Sequence, residues 1–152
     1  MHSTIISDTS ILIVFQKIGY LSILNQVYGD IFITPEIAKE YGETLPPWIK
    51  IKKVTGIKYQ KILETELDTG EASAIALASD FDDVLLLLDD LKARKLAVKL
   101  DYKVTGTLGI IHKAKQMSII GAVKPIINLL INTNFRISDD IVSEILSINK
   151  EI

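Results

Sequence analysis

Cysteine is absent from this 152-residue chain, and its absence excludes several kinds of site at once. Without a thiol there is no disulfide, no cysteine nucleophile and no zinc or iron–sulfur centre with cysteine ligands. A chain of this length buries about two-thirds of its unfolded surface, so it needs no such cross-links to fold. The absence of cysteine suits a reducing compartment, and we expect a cytoplasmic protein.

Long apolar runs are also missing, although the mean hydropathy is +0.30. The longest runs, Val84–Leu88 and Ile119–Val123, are far shorter than the roughly 18 residues that a membrane span requires. The first residues do not combine a basic segment, an apolar segment and a small-residue cleavage site. We therefore expect neither export nor a membrane partner.

The chain lacks an excess of positive charge. Its 17 basic and 19 acidic side chains give a net charge of −2 and an isoelectric point near 5.7. A protein that binds nucleic acid through its overall charge would be basic. A polyanionic ligand would therefore need local positive charge, or cations held by the protein.

The residues that are present predict an ordinary globular protein. Hydrophobic residues make up 48% of the chain and charged residues 24%, and no tract has low complexity. This composition excludes disordered and fibrous architectures. No linker or internal repeat divides the sequence, so we expect one domain over residues 1–152.

Short apolar strands alternate with helical patterns along the chain. The predicted strands are Thr4–Ser7, Ile31–Ile33, Ile49–Val54, Val84–Leu88 and a short strand at Val104. The predicted helices are Ser10–Ile18, Ser22–Tyr28, Pro35–Tyr41, Asp68–Ala78, Leu91–Leu100 and three that follow Gly106, the last capped by Ser138. This alternation predicts a three-layer α/β/α fold around a mostly parallel sheet of four to five strands.

Acidic side chains directly follow two of the predicted strands. Asp8 follows the first strand and Asp89 follows the apolar run Val84–Leu88. In parallel sheets, ligands bind beyond the carboxyl ends of the strands, so both side chains are expected at the functional crevice. Aspartate in this position also caps the next helix, and for either residue alone the two interpretations are equally good.

Two glutamates join these aspartates as candidates. Glu71 lies three residues after Asp68, a spacing that also fits a structural capping box. Glu40 lies in the last turn of its helix, where the helix dipole disfavours a carboxylate, although a solvated glutamate is the ordinary case. Two carboxylates about 4 Å apart repel by roughly 4 kcal/mol at an effective dielectric near 20, so clustered acids indicate a bound cation. Oxygen ligands suit magnesium or manganese.

Five stretches of the sequence, in this order, resemble the PIN domain, the metal-dependent nuclease fold of VapC-type toxins, and its VapC-related prokaryotic branch in particular. They are Ser7-Asp8-Thr9-Ser10, Pro35–Glu40, Leu67–Ala72 with Ala74–Ala78, Leu88-Asp89-Asp90 with Arg94, and Val104–Gly109. The resemblance implies that the catalytic acids are Asp8, Glu40, Glu71 and Asp89. It implies one or two Mg²⁺ or Mn²⁺ ions held by Asp8, Glu71 and Asp89, with Glu40 and Asp90 as further ligand candidates.

The sequence departs from the PIN pattern at two positions. Glu71 stands where many PIN nucleases carry aspartate, and Leu87 lies where many carry serine or threonine before the strand-end acid. These departures leave open a second hypothesis, a catalytically inactive PIN module that binds RNA or a protein partner. A phosphate-handling receiver or phosphatase-like domain with Asp8 as phosphoacceptor is a third, but it lacks the paired acids and the lysine that receivers carry.

The resemblance implies a metal-dependent endoribonuclease, the toxin of a toxin–antitoxin pair, with a small antitoxin and a second copy of the chain as partners. Thr9, Ser10 and Thr105 are candidate hydrogen-bond donors to the substrate. Lys92, Arg94 and Lys95 are candidates for contacts to the RNA backbone, although such a stripe also suits a solvated helix face. A run of apolar residues near the C-terminus would form either a partner surface or core: Ile126, Ile127, Leu129, Leu130 and Ile131.

Overall fold

The computed structural model describes residues 4–133 and 139–151. The strands are β1 (Thr4–Ser7), β2 (Ile31–Ile33), β3 (Ile49–Ile51), β4 (Val84–Leu87) and β5 (Lys103–Thr105). The helices are α1 (Thr9–Lys17), α2 (Ser22–Tyr28), α3 (Pro35–Tyr41), α4 (Ile57–Leu63), α5 (Thr69–Ala78), α6 (Leu91–Lys99), α7 (Thr107–Gln116), α8 (Lys124–Ile131) and α9 (Asp139–Ile148).

The strands form one parallel sheet in the order β3-β2-β1-β4-β5. The central pair β1 and β4 aligns Ile6 with Leu86, and both side chains are fully buried. Buried apolar runs of this kind are typical of strands covered by helices on both faces. The predicted α/β/α architecture is confirmed.

Local sequence signals fix the helix that leads away from β2. The Thr34 hydroxyl accepts a 3.2 Å hydrogen bond from the backbone N–H of Ile37, and Pro35 occupies the first turn. The helix ends at Gly42, whose φ of 70° lies in the left-handed region. These signals place Glu40 in the last turn of α3, as predicted.

Small residues let α5 pack closely against the sheet. Gly70 and every residue from Ala72 to Ala78 are buried, and α5 contacts both β1 and β4. The Asp68 carboxylate accepts a 2.8 Å hydrogen bond from the N–H of Glu71, which confirms the predicted helix start. The start of α5 is thereby held beside the end of β1.

Two elements differ from the sequence prediction by more than one residue at an end. Helix α4 was not predicted, because Ile57 and Ile62 are exposed and no capping side chain marks its start. Strand β3 ends at Ile51 rather than Val54, because its partner β2 ends at Ile33, the residue that pairs with Ile51. The Lys52 ammonium lies 5.5 and 5.1 Å from the ring centres of Phe32 and Phe81, a cation–π contact that holds this turn.

The C-terminal helices divide their apolar side chains between core and surface. Ile126, Ile127 and Leu130 are buried, whereas Leu129 and Ile131 are exposed. The predicted cap of the last helix, Ser138, lies outside the described residues.

Within residues 4–133 and 139–151, no single helix is long and apolar enough to cross a membrane. Helices α1 and α2 pass that test only as a pair, and they are bent by 120° relative to each other.

Candidate functional site

Parallel strands bring the predicted acids to one edge of the sheet. The chain leaves β1 at Asp8 and β4 at Leu88, and these strands are neighbours. The backbone N–H of Asp8 donates to the carbonyl of Leu87 at 3.0 Å, so β1 and β4 remain paired to their ends. The residues that follow both strands therefore meet at the carboxyl edge.

Asp8 is a buried carboxylic acid at the base of this edge. Its residue is only 4% exposed, and its side chain makes no capping hydrogen bond to α1. Burial raises the pKa of Asp8 to about 7; the backbone N–H of Thr9 opposes the rise, and the charges of Asp68, Glu40 and Asp90 add to it. Helix capping therefore does not explain this residue.

Glu40 reaches the same place from α3. The Thr9 hydroxyl donates a 2.8 Å hydrogen bond to Glu40 Oε1. A Cβ added to Gly70 would overlap Glu40 Oε1 and lie 3.5 Å from Asp8 Oδ1. The carboxylates of Asp8 and Glu40 therefore both lie against the backbone at the start of α5, in space that only glycine leaves open.

Glu71 is the second acid with a raised pKa. Burial raises the pKa of Glu71 to about 7, and the charges of Asp68, Asp8 and Asp90 add to the rise, whereas the backbone N–H of Asp68, which donates to the Glu71 carboxylate, opposes it. Glu71 therefore lies within electrostatic reach of the acids at the ends of β1 and β4.

The two adjacent aspartates after β4 have different surroundings. Asp89 accepts hydrogen bonds from the N–H of Thr107 at 2.7 Å and from its hydroxyl at 2.5 Å, so its carboxylate holds the start of α7. Asp90 caps α6 through the N–H of Ala93 at 3.0 Å, and its charge raises the pKa values of Asp8 and Glu71. The structure thus groups Asp90 with the other acids and ties Asp89 to the turn after β5.

Asp68 belongs to the same group and was missed as a site residue by the sequence reasoning. Its charge raises the pKa values of both Asp8 and Glu71. One of its oxygens caps α5, which explains the residue without any further role. The signal that was available is its spacing, since the cap of α5 must lie beside the first turn that carries Glu71.

The predicted substrate contacts are dispersed. The Thr9 hydroxyl already donates its hydrogen bond to Glu40, and Ser10 is exposed in the first turn of α1. The Thr105 hydroxyl lies against Gly109 on the sheet face rather than among the acids.

The three basic residues of α6 also differ from one another. Lys92 and Lys95 are exposed and line a shallow groove. Arg94 is half-buried, and a Cβ added to Gly106 would come within 2.5 Å of Arg94 Nη1 and 2.6 Å of Asp89 Oδ1. Arg94 therefore points towards the turn after β5, whereas the two lysines face solvent.

The chemistry of the acidic group fits a divalent cation. We refer to Asp8, Glu40, Asp68, Glu71 and Asp90 together as the acidic cluster. In the described part of the chain none of them pairs with a cationic side chain; the ion pair seen there joins Lys115 and Glu151. All the donors are oxygens, the ligand type that Mg²⁺ and Mn²⁺ prefer. Across these same residues, no three His, Asp or Glu side chains already form a group that could hold a metal ion.

Comparison with known proteins agrees with the architecture. The family model DUF3368, described as a PIN domain, matches residues 4–151. No curated protein and no solved structure matches the chain. PIN domains are in general nucleases that use divalent metal ions. The match covers nearly the whole length and every strand of the parallel sheet, and the chain therefore belongs to the PIN-domain family.

Proposed function

We propose that the protein is a metal-dependent endoribonuclease, the toxin of a toxin–antitoxin pair. One observation carries the proposal: in a chain of the PIN-domain family, the buried carboxyl of Asp8 lies beside Glu40 and further acids without a cationic partner in the described residues. Such an arrangement stores repulsion that a divalent cation relieves.

Asp8, Glu71 and Asp90 would hold the cation, with Glu40 and Asp68 beside them. When bound, one or two Mg²⁺ or Mn²⁺ ions supply a water of lowered pKa and offset the negative charge of a phosphate. Asp89, which the sequence predicts as a ligand, also holds the start of α7 through Thr107 and stays a further candidate ligand of the cation.

The side chains of this chain have separable tasks. Thr9 positions the carboxylate of Glu40 through its 2.8 Å hydrogen bond. Glu71, half-buried within electrostatic reach of Asp8 and Asp90, would serve as a direct or water-mediated ligand of the cation. Hydrolysis of an RNA phosphodiester at this site would leave a 5′-phosphate and a 3′-hydroxyl.

RNA would approach along α6, which begins directly after Asp90. Lys92 and Lys95 are exposed there and can contact phosphates, whereas Arg94 points towards Gly106 and Asp89. The net charge of −2 predicts weak binding of RNA in the absence of metal.

A small antitoxin and a second copy of the chain are the proposed protein partners. The exposed side chains of Leu129 and Ile131 on α8 support an additional contact surface near the C-terminus. A pull-down with the product of a small reading frame beside the gene would test the antitoxin.

Cleavage of a short single-stranded RNA tests the nuclease. We expect cleavage in Mn²⁺ or Mg²⁺, no cleavage in EDTA, and a loss of activity in Asp8→Asn that the matched surface variant Asp82→Asn does not share. Activity that persists in both EDTA and Asp8→Asn would overturn the metal mechanism. A folded protein that binds RNA but cuts none under any metal would support the inactive module instead.

A further inference from the structure

A cavity of about 560 Å³ lies between α2, α7 and the sheet. Ile5 of β1 and Leu85 of β4 form its floor. Leu85 is only half-buried, although it lies in a central strand and the adjacent Leu86 and Leu87 are completely buried. The two helices contact each other but do not close over the sheet. The volume lies within the roughly 300–1,000 Å³ range of small-molecule sites.

This cavity is distinct from the acidic cluster. Its lining extends from Thr105, at the carboxyl end of β5, to Tyr28, which lies three residues before β2 begins. No member of the acidic cluster lines it. An occupant would therefore not compete with a metal ion held by Asp8.

The polar part of the lining offers donors. Within the described residues the Tyr28 hydroxyl has no hydrogen-bond partner, and burial raises the pKa of Tyr28 to about 12, so the group remains an O–H donor. Lys113 adds an ammonium and Gln116 an amide. His112 is held through Nδ1, 3.1 Å from Asn149 Oδ1, which leaves Nε2 for a ligand.

Among the described residues, the lining contains no aspartate or glutamate, in a chain that has more acidic than basic residues. A positively charged ligand would find no acidic side chain to pair with there. An apolar floor with donors and one ammonium at the wall instead complements an apolar body that carries a single anionic group.

We propose that this cavity binds a small amphipathic anion, a ring or short chain that carries one carboxylate, phosphate or sulfonate. Its apolar body would contact Ile5 and Leu85, and its anionic group would accept hydrogen bonds from Lys113 and Tyr28. The proposal does not depend on the nuclease activity.

Fluorescence of 8-anilinonaphthalene-1-sulfonate with the folded full-length chain tests the proposal. We expect saturable binding, with decanoate and adenosine 5′-monophosphate as competitors that distinguish a carboxylate from a phosphate ligand. Lys113→Glu should weaken binding by about tenfold or more, since it replaces a charge-assisted contact with repulsion. Leu85→Trp should abolish binding by filling the cavity.

Matched controls separate the cavity from general surface effects. Lys99→Glu reverses a charge on α6, and Leu91→Trp enlarges an exposed leucine; both should bind the probe like the wild type. If Leu85→Trp fails to fold, the exposed Lys113→Glu still decides. The proposal would be overturned if the fluorescence does not saturate. It would also be overturned if Lys113→Glu and Leu85→Trp both bind the probe as tightly as the wild type does. So would self-association that Leu85→Trp abolishes without any anion binding, since the cavity would then belong to a second copy.

Discussion

Replacing Asp8 by asparagine should stabilise the metal-free protein at alkaline pH. Asp8 is 4% exposed, and burial raises its pKa from 3.8 to about 7. Each pKa unit corresponds to about 1.4 kcal/mol, so an ionised Asp8 costs the folded state about 4 kcal/mol. Asparagine has nearly the same shape and carries no charge, so the substitution removes this cost.

The sign of the pH dependence follows from the raised pKa. Below pH 3.8 the carboxyl is protonated in both the folded and the unfolded chain, and Asp8 costs nothing. Between pH 3.8 and about 7 the unfolded chain releases the proton first, so the free energy of unfolding falls. Above about pH 7 the loss is complete.

Urea unfolding in EDTA measures this difference. The gain from Asp8→Asn should grow from near zero at about pH 4 to about 4 kcal/mol at about pH 8. Asp8→Asn also removes the repulsion that raises the pKa of Glu71, so the difference between the two profiles reports Asp8 together with its coupling to Glu71. The exposed Asp82→Asn should show no such growth. A gain that is absent at pH 8, or that does not increase with pH, would refute the conclusion that Asp8 is an uncompensated buried acid.

Two further substitutions test the packing and the membership of the acidic cluster. Gly70→Ala should lower the free energy of unfolding by roughly 1–3 kcal/mol, because the new Cβ overlaps a carboxylate. Gly121→Ala, with no atom within 4 Å of the added Cβ, is its control. Equal urea midpoints for the Gly70→Ala and Gly121→Ala variants would contradict the close contact between Gly70 and the Glu40 carboxylate. Asp90→Asn should lower the pKa of Glu71, whereas Asp89→Asn should leave it unchanged, as carboxyl carbon NMR titration can measure. The reverse pattern would assign the strand-end role to Asp89.

Much of the fold could be predicted because local signals are strong. Thr34, Pro35 and Gly42 delimit α3, and the apolar run of β4 ends at acids that mark the carboxyl edge of the sheet. Parallel pairing then places Asp8 beside the end of β4, which is why its position at this edge could be predicted from sequence.

The rest required three-dimensional contacts. Asp89 and Asp90 are adjacent in sequence, and their different roles depend on which one meets Thr107 across the sheet. The cap at the start of α5 explains Asp68 by itself, and although its spacing places it beside Glu71, its proximity to Asp8 depends on how α5 packs against β1. Thr105 lies on the same face as Leu85, and a side chain's face in a strand depends on a register that sequence does not specify.

Calorimetric titration of the full-length protein with Mn²⁺ tests the central claim, that the acidic cluster holds a divalent cation, most directly. We predict saturable binding that Asp8→Asn weakens by about tenfold or more and that Asp82→Asn leaves unchanged. A folded wild-type protein that binds no Mn²⁺, or an Asp8→Asn variant that binds it with wild-type affinity, would contradict the claim.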